Sequence, residues 1–511
     1  MTQGINGSKF KSLDEVCAIA EDLRKQGKAV VQCHGVFDLL HPGHIRHLES
    51  AKRQGDVLVV TVTRDEHVGK GPGRPVFGQQ LRVESLAALE CVDYVALNEG
   101  PIAVDTILKL RPDVYAKGNE YADAKNDLTG KIVDEEQAVE SVGGRIHFTD
   151  DITFSSTSLL NNHFDVFSEE ARGFLTEFRS SFTPQGIIDL LQSLKGLKVL
   201  VIGDTIIDEY HYCSPMGKSP KEILIPARYL YEEVFAGGIL AIANCVAGFC
   251  DDVELVTVLG GEDSREGFVR GHLRPNVVPT LFCRPDTCTP VKRRFVEVDL
   301  LRKMFEVSFI GTDLLPDIVS HEAACYLRSR LPDYDLVVVA DYGHGFIDDR
   351  IIAALCDESR FLAINVQTNS ANLGFNLVTR YDRADYVCID ETEARLATHD
   401  NCSPLEDLVC GIASELRCHR AVVTRGHRGS LVYANSGGFL EVPVFSREAV
   451  DRIGAGDAYF AVTAPCVAAG FPPELVGFIG NAVGALAIRI VGNRTVVDPV
   501  QLSRYVTTLL K

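Results

Sequence analysis

"HGVFDLLHPGHIRHLESAK", residues 34–52, sets histidines and a Pro-Gly pair between the apolar run "AVVQC" (29–33) and a helical pattern. Such a strand exit feeds a helix N-terminus, whose unpaired N–H groups and partial positive charge favour an anion. Gly35 and Gly43 let the backbone approach a ligand closely. His41 and His44 stand three apart and are expected to share a face on the first helical turn. Two imidazoles there can donate hydrogen bonds to a phosphoryl group and meet the charge that builds when its phosphorus is attacked. On spacing alone, the same pair also reads as polar caps or metal ligands.

Outward from this corner the pattern repeats. "DVLVVTV", "VDYVAL", "DVYAK" and "RIHF" read as further strands, separated by helical stretches near 45–53, 82–89, 102–110 and 131–142. Near-continuous apolar strands alternating with helices predict a parallel sheet covered on both faces, with ligands at the strands' carboxyl ends. A second series opens at "LKVLVIGDTIID" (197–208) and continues through "VELVTVL", "DLVVVAD", "FLAIN", "DYVCI" and "AVVTR". The fold class is α/β twice over: a domain at 1–165, a helical linker at 166–196 and a second domain at 197–511.

Composition narrows the function classes. A length of 511 residues suggests several domains, and a net charge of -19 argues against wrapping nucleic acid or lying on an anionic membrane. Anionic small molecules remain suitable, because a pocket needs only a few cations or N–H groups. Fifteen cysteines, an odd number without a C-x-x-C pair, read as reduced thiols of a cytoplasmic protein. The opening "MTQGINGSKFKSLDEV" has no apolar signal-peptide core. No apolar run reaches the roughly 18–20 residues of a membrane span.

The order of motifs adds a resemblance. "GVFDLLHPGH", "GPGRPVFGQQLR", "DVYAKGNEY" and "FSSTSLL" together resemble the cytidylyltransferase-like nucleotidyltransferases over residues 28–161. The likeness is closest to the adenylyltransferase half of ADP-heptose synthases and to glycerol-phosphate-type cytidylyltransferases. It implies a Rossmann-like nucleotidyltransferase domain in which His41, Gly43 and His44 form the H-x-G-H signature and the histidines stabilise the α-phosphate transition state. By the same likeness Phe37 and Asp38 shape the nucleotide pocket, and Lys70 and Arg82 neutralise phosphates, although "GKGPGRP" allows several alignments of Lys70. Ser155, Ser156, Thr157 and Ser158 would hold phosphate oxygens at a second helix N-terminus; before "LL" they also read as plain N-caps. Lys117, preceding Gly118, is a further phosphate ligand or a solvated lysine. His34 stands where relatives often carry a smaller polar residue. ATP or CTP would be the nucleotide, with Mg²⁺ offsetting its charge.

Near the C-terminus "DRIGAGDAYFAVTA" (451–464) bares the backbone at Gly454, Ala455 and Gly456, with Asp457 on the first turn of an apolar helix. Its N–H groups can cradle a moving phosphoryl while the carboxylate takes a proton from a hydroxyl; the same residues also describe a plain helix start. With "VIGDTIIDEY", "AGG" (236–238), "DYGHG" (341–345) and "VTRGHRG" (423–429), the stretch resembles the ribokinase-like (PfkB) sugar kinases from about residue 197 onward. The likeness extends to the heptose-phosphate kinase half of ADP-heptose synthases, with the domain order reversed.

That resemblance implies a ribokinase-like α/β domain with a small β lid. Asp457 would be the general base, Gly454 to Gly456 the anion hole, and Asp204, Gly237 and Gly238 the sugar site. Thr424 and Gly426 would lie near ATP, and Asp390 and Glu393 would organise Mg²⁺ in place of the family's N-x-x-E. The alternating "TPVKRRFVEVDLLRKMFEV" (289–307) would form the lid, whose open edge is a candidate homodimer surface. Two departures stand out: apolar Ile239, Leu240 and Ala241 with Asn244 a turn later, and "AINVQTNS" (363–370) in place of an Asp-Pro-Lys-Gly-like stretch. The expected function is bifunctional synthesis of a nucleotide-activated sugar from small-molecule substrates, with no nucleic acid or membrane partner. The alternative is a nucleotidyltransferase whose second domain is a degenerate binding, regulatory or dimerisation module.

Overall fold

The computed structural model describes residues 9–119, 131–149, 167–217, 222–311, 315–370, 372–446 and 448–511. Its contacts divide the chain into two compact units, Met1–Ser168 with Ser503–Lys511, and Glu169–Leu502.

In the first unit, strands β1 (Val30–Gly35), β2 (Val57–Val62), β3 (Tyr94–Leu97), β4 (Val114–Gly118) and β5 (Arg145–Thr149) form one sheet in the order β3-β2-β1-β4-β5. Every pairing is parallel. All six residues of β2 are buried, as a central strand covered on both faces requires. The helical stretches fall at Pro42–Lys52, Gln79–Ala87, Val104–Leu110 and Lys131–Ser141. A fifth helix, Leu13–Lys25, opened by a capping box between Ser12 and Glu15, escaped the sequence reading. The chain lays β2 and β3 on one side of β1, then β4 and β5 on the other. Strand order therefore switches beside the exit of β1, where His41 and His44 follow.

The second unit holds a sheet of nine strands. They are β6 (Lys198–Gly203), β9 (Asp252–Gly260), β10 (Val277–Arg284), β13 (Leu336–Asp341), β14 (Leu362–Val366), β15 (Tyr386–Asp390), β16 (Arg420–Thr424), β17 (Ser430–Ala434) and β18 (Gly438–Val442). The order is β10-β9-β6-β13-β14-β15-β16-β17-β18, parallel as far as β16 and antiparallel beyond it. Order switches between β6 and β13, and the exits of β6, β13, β14, β15 and β16 line one edge. A four-stranded sheet, β12-β11-β7-β8, forms the lid: the expected hairpin, β11 (Val291–Glu297) and β12 (Arg302–Phe309), is widened by β7 (Thr205–Pro215) and β8 (Ala227–Gly238).

The stretch 166–196 contains the helices Glu169–Ser181 and Pro184–Ser193. They pack within the second unit, where Phe178 stacks on Phe478 with ring centres 4.3 Å apart. All fifteen cysteines are free thiols. Among the described residues, no helix is long and apolar enough to cross a membrane.

Candidate active sites

The helix Pro42–Lys52 starts at the N-cap His41, in extended conformation, with Pro42 at its first position. His41 therefore precedes the first turn instead of lying on it, yet its ring still stacks on His44, centres 4.0 Å apart. The Gly43 N–H donates to His41 Nδ1 at 3.1 Å, so the neutral ring carries its proton on Nε2. That Nε2 is buried and has no hydrogen-bond partner among the described residues, while His41 as a whole is 7% exposed. His44 Nδ1 lies 3.1 Å from the Leu39 carbonyl, which can only accept, so Nδ1 is the donor. Burial, with His41 and Lys70 beside it, pushes His44 down to about 3. Phe37, at φ 51°, sets its ring edge-on to His44 at 5.3 Å.

Asp38 faces the loop opposite. Its carboxylate accepts the N–H groups of Val76 (3.0 Å) and Phe77 (2.9 Å) and lies 3.7 Å from Arg74. It thereby holds the loop that carries Lys70. No protein carboxylate pairs with Lys70 among the described residues, and burial pushes its ammonium down to about 8. Gly35 ends β1 and Gly43 is the second residue of the helix. His34 bridges to Thr61 (3.0 Å) and Thr63 (3.3 Å), joining the exits of β1 and β2.

Two lysine and arginine expectations are corrected. The Arg82 side chain is fully buried, and its guanidinium donates to the Phe77, Val36 and Thr63 carbonyls and to Asp65. It ties three segments of the corner together and has no face for a phosphate. Arg82→Met is therefore expected to destabilise the first unit by about 3–5 kcal/mol, as removal of one partner from a buried polar network does. Urea unfolding checks this; unchanged stability with a raised nucleotide KM would return Arg82 to phosphate binding. Lys117 pairs with buried Glu135 at 2.8 Å, which already neutralises its charge. Ser155, Ser156, Thr157 and Ser158 lie outside the described residues.

In the second unit the helix Ala455–Ala468 begins at Gly454, φ 79°, with Ala455 and Gly456 as its first residues and Asp457 next. The early N–H groups of such a helix lack intrahelical acceptors and remain available to an anion. Gln367, just past β14, donates to Asp457 Oδ1 at 2.5 Å. Burial pushes the Asp457 carboxyl up to about 6, against the pull of the Gln367 hydrogen bond. Asp208 and Lys292 also act on it, the first raising it and the second lowering it. A cleft bounded by Ala241, Cys245, Gly454, Asp457, Gly492 and Asn493 opens beside it.

The sugar-site expectation at Asp204 meets a carboxylate tied to backbone. Asp204 is 1% exposed and accepts the N–H groups of Tyr342, His344 and Phe346 at 3.1–3.3 Å. It builds the "DYGHG" turn, each of its oxygens accepting at least one backbone N–H. Asp208, on β7, instead lies in the field of Asp457 and receives Asn493 Nδ2 at 3.2 Å and a bond from Arg294. Gly237 is what permits this approach: a Cβ there would stand 2.2 Å from Asp208 Oδ2. Gly238 adjoins it with φ 54° at the start of the helix Ile239–Phe249. Period-two reading of "GDTIID" along β7 could have found Asp208. The neighbours Gln367, Tyr342, Lys292 and Asn493 come from four separate segments and carry no sequence signal.

Asp390 and Glu393 stand together where β15 ends and the next helix starts. They form a capping box: the Glu393 N–H donates to Asp390 Oδ1 and the Asp390 N–H to Glu393 Oε2, each at 2.8 Å. The Thr368 N–H takes Glu393 Oε1 at 3.0 Å. Burial and neighbouring Asp390 push the Glu393 carboxyl well above the usual carboxylate range. Both Glu393 oxygens accept backbone N–H groups, so the pair would act on a Mg²⁺ through its water shell, the organising role the resemblance implies. Asn244 does not replace the missing amide, since it bonds the His272 carbonyl and the Arg274 N–H. Thr424 ends β16 and Gly426, φ 57°, opens the turn after it, on the same sheet edge as Asp390.

Comparison with known proteins agrees with both units. Residues 33–162 match the cytidylyltransferase-like family and residues 197–499 the pfkB family carbohydrate kinases. Over 153 residues the chain is 38% identical to the Bifunctional protein HldE of Syntrophotalea carbinolica, covering 30% of each chain. Over 152 residues it is 40% identical to that of Methylobacillus flagellatus, covering 29% of this chain and 30% of the relative. The chain thus spans about a third of the length of these relatives. Phosphofructokinase-2 from Escherichia coli in complex with potassium shares the fold of the second unit, with a TM-score of 0.50 at 14% identity, covering 62% of this chain and 100% of that one. Since the kinase match runs over more than half of the sequence, the chain belongs to the pfkB family of carbohydrate kinases, with a cytidylyltransferase-like unit ahead of the kinase fold.

Proposed function

We propose that the chain is a bifunctional enzyme of nucleotide-activated sugar synthesis. Its first unit transfers a nucleotidyl group from ATP or CTP to a sugar 1-phosphate, heptose-like by resemblance. The observation that carries this is the buried, unpartnered His41 Nε2–H stacked on a neutral His44. A phosphate oxygen of the sugar attacks the α-phosphorus, the bond to the β-phosphate bridging oxygen breaks, and pyrophosphate leaves. His41 donates to the charge that builds on the α-phosphate oxygens, and no covalent intermediate is needed. The second unit moves the γ-phosphoryl of ATP to a sugar or sugar-phosphate hydroxyl. Asp457 takes the hydroxyl proton and the N–H groups at Gly454 to Gly456 meet the phosphoryl oxygens. Mg²⁺ would accompany the triphosphates as part of the substrate. The free thiols suit a reducing, cytoplasmic setting.

Pyrophosphate release tests the first activity, with ATP and CTP each offered to a panel of sugar 1-phosphates and polyol phosphates. Release with one pair, lost in His44→Ala, supports the reading; no release with any pair sinks it. A second reading, transferase activity alone, is favoured by Asn244 facing His272 and Arg274 instead of the cleft. ADP formation across a broad sugar panel separates the two.

The lid supports a homodimer. Phe305 is 55% and Tyr229 53% exposed on it, and β12 and β8 leave their outer edges open. Sedimentation is expected to show a dimer at micromolar concentration and a monomer for Phe305→Asp. A monomeric wild type removes this part of the proposal.

A further inference from the structure

The helix Pro499–Leu510 begins where the pfkB match ends, and residues Ser503–Lys511 count with the first unit. Tyr505 is 1% exposed, and Val506 and Leu509 are fully buried. Tyr505 meets the glycine loop "GKGPG" (69–73). Gly71 has φ +90°, and a Cβ built on it would stand 2.0 Å from the Tyr505 ring. At Gly69 a Cβ would stand 2.8 Å from Arg504 Nη1. The ring and guanidinium therefore press on bare backbone on either side of Lys70. Lys511 is among the charges that act on the Lys70 ammonium. The far end of the same loop is held by Asp38 at Val76 and Phe77.

From this we infer that Tyr505 is a positioning residue of the nucleotidyl-transfer site, clamping the loop that presents Lys70 to the triphosphate. The inference rests on the transferase reading above. The physical argument is one of order. Gly71 and Gly73, both at positive φ, sample many conformations unless something covers them. Asp38 restrains the loop at Arg74, Val76 and Phe77, on the far side of both glycines from Lys70, so the Tyr505 ring adds a restraint beside Lys70 itself. Gly71 is glycine because no side chain fits beneath that ring.

The test uses the full-length protein with Tyr505→Ala and Tyr505→Phe. Amide hydrogen exchange at residues 69–73 is expected to quicken at least tenfold in Tyr505→Ala and to stay near wild type in Tyr505→Phe, which keeps the ring. In the same proteins the nucleotide KM for pyrophosphate release should rise about tenfold in Tyr505→Ala, with kcat within threefold and ADP formation by the second unit unchanged. Should Tyr505→Ala fail to fold, Tyr505→Leu, apolar but without a flat ring, takes its place with the same expectation. Unchanged exchange in the ring-less variant overturns the clamp. Faster exchange with an unchanged nucleotide KM overturns its role in the site. A wild type that neither binds nor turns over nucleotide overturns the transferase reading instead, and the exchange result stands apart from it.

Discussion

Asp457→Asn is expected to lower phosphoryl transfer by about 10²- to 10⁴-fold, the range of a lost general base, while pyrophosphate release by the first unit stays unchanged. Asn keeps the size of the side chain and a carbonyl oxygen to accept from Gln367, so the substitution removes basicity with little change in packing. The raised carboxyl also dictates the pH profile. Its value of about 6 means that the ionised, proton-accepting form is populated above that pH and lost below it. The kinase kcat/KM should therefore fall about tenfold per pH unit below the midpoint. Lys292 holds the carboxyl down, so Lys292→Met should move the acid limb to higher pH. Gln367→Leu should do the same by removing a hydrogen bond to the ionised form. A pH series of ADP formation checks all three proteins. An acid limb that stays in place in both variants, or an Asn variant that retains its rate, removes Asp457 from the role of base.

The second large effect belongs to the first unit. His41→Ala should cut kcat for pyrophosphate release by about 10²- to 10³-fold, as loss of one transition-state hydrogen-bond donor does. The same change removes an N-cap, at a cost of about 1 kcal/mol. His41→Asn separates the two roles: asparagine caps well, so stability should return, yet its shorter amide does not reproduce the Nε2–H stacked on His44. Parallel thermal unfolding and single-turnover measurements decide. Recovery of rate in the Asn variant would mean that His41 acts only as a cap. His44 adds a signature of its own. It is held neutral by burial and by the positive charges of its neighbours, and a bound triphosphate reverses that field. Binding near neutral pH should then take up a proton, seen as a binding heat that depends on the buffer's ionisation enthalpy; a heat independent of buffer excludes it.

Much of the architecture was legible in residue order. The apolar runs from "AVVQC" to "RIHF" and from "VLVIG" to "AVVTR" became parallel strands, because strands buried on both faces must be apolar throughout and helices must intervene between them. The strand-to-helix corner at His41 and the helix start at Gly454 were legible for a similar reason: caps and bare helix ends are local features of a few adjacent residues. At Glu393 the same locality leaves two readings open. The pattern Asp390 to Glu393 states only that two carboxylates stand three apart, which a capping box satisfies as well as a metal does.

What the sequence by itself determined was the pair of α/β units, the placing of each glycine-marked helix start and a set of candidate residues with the chemistry to move protons or hold anions. Tertiary structure alone decided which of those residues face a substrate. Arg82 and Asp204 carry the right charge but are tied to backbone groups that only folding brings to them. Gln367 and Asp457, 90 residues apart, meet because β14 exits beside the helix from Gly454. Gly71 and Tyr505, at opposite ends of the chain, meet because the last helix returns to the first unit. Local pattern is written in neighbours along the chain, whereas the pairing of a polar group is settled by burial, which depends on segments that sequence distance does not relate.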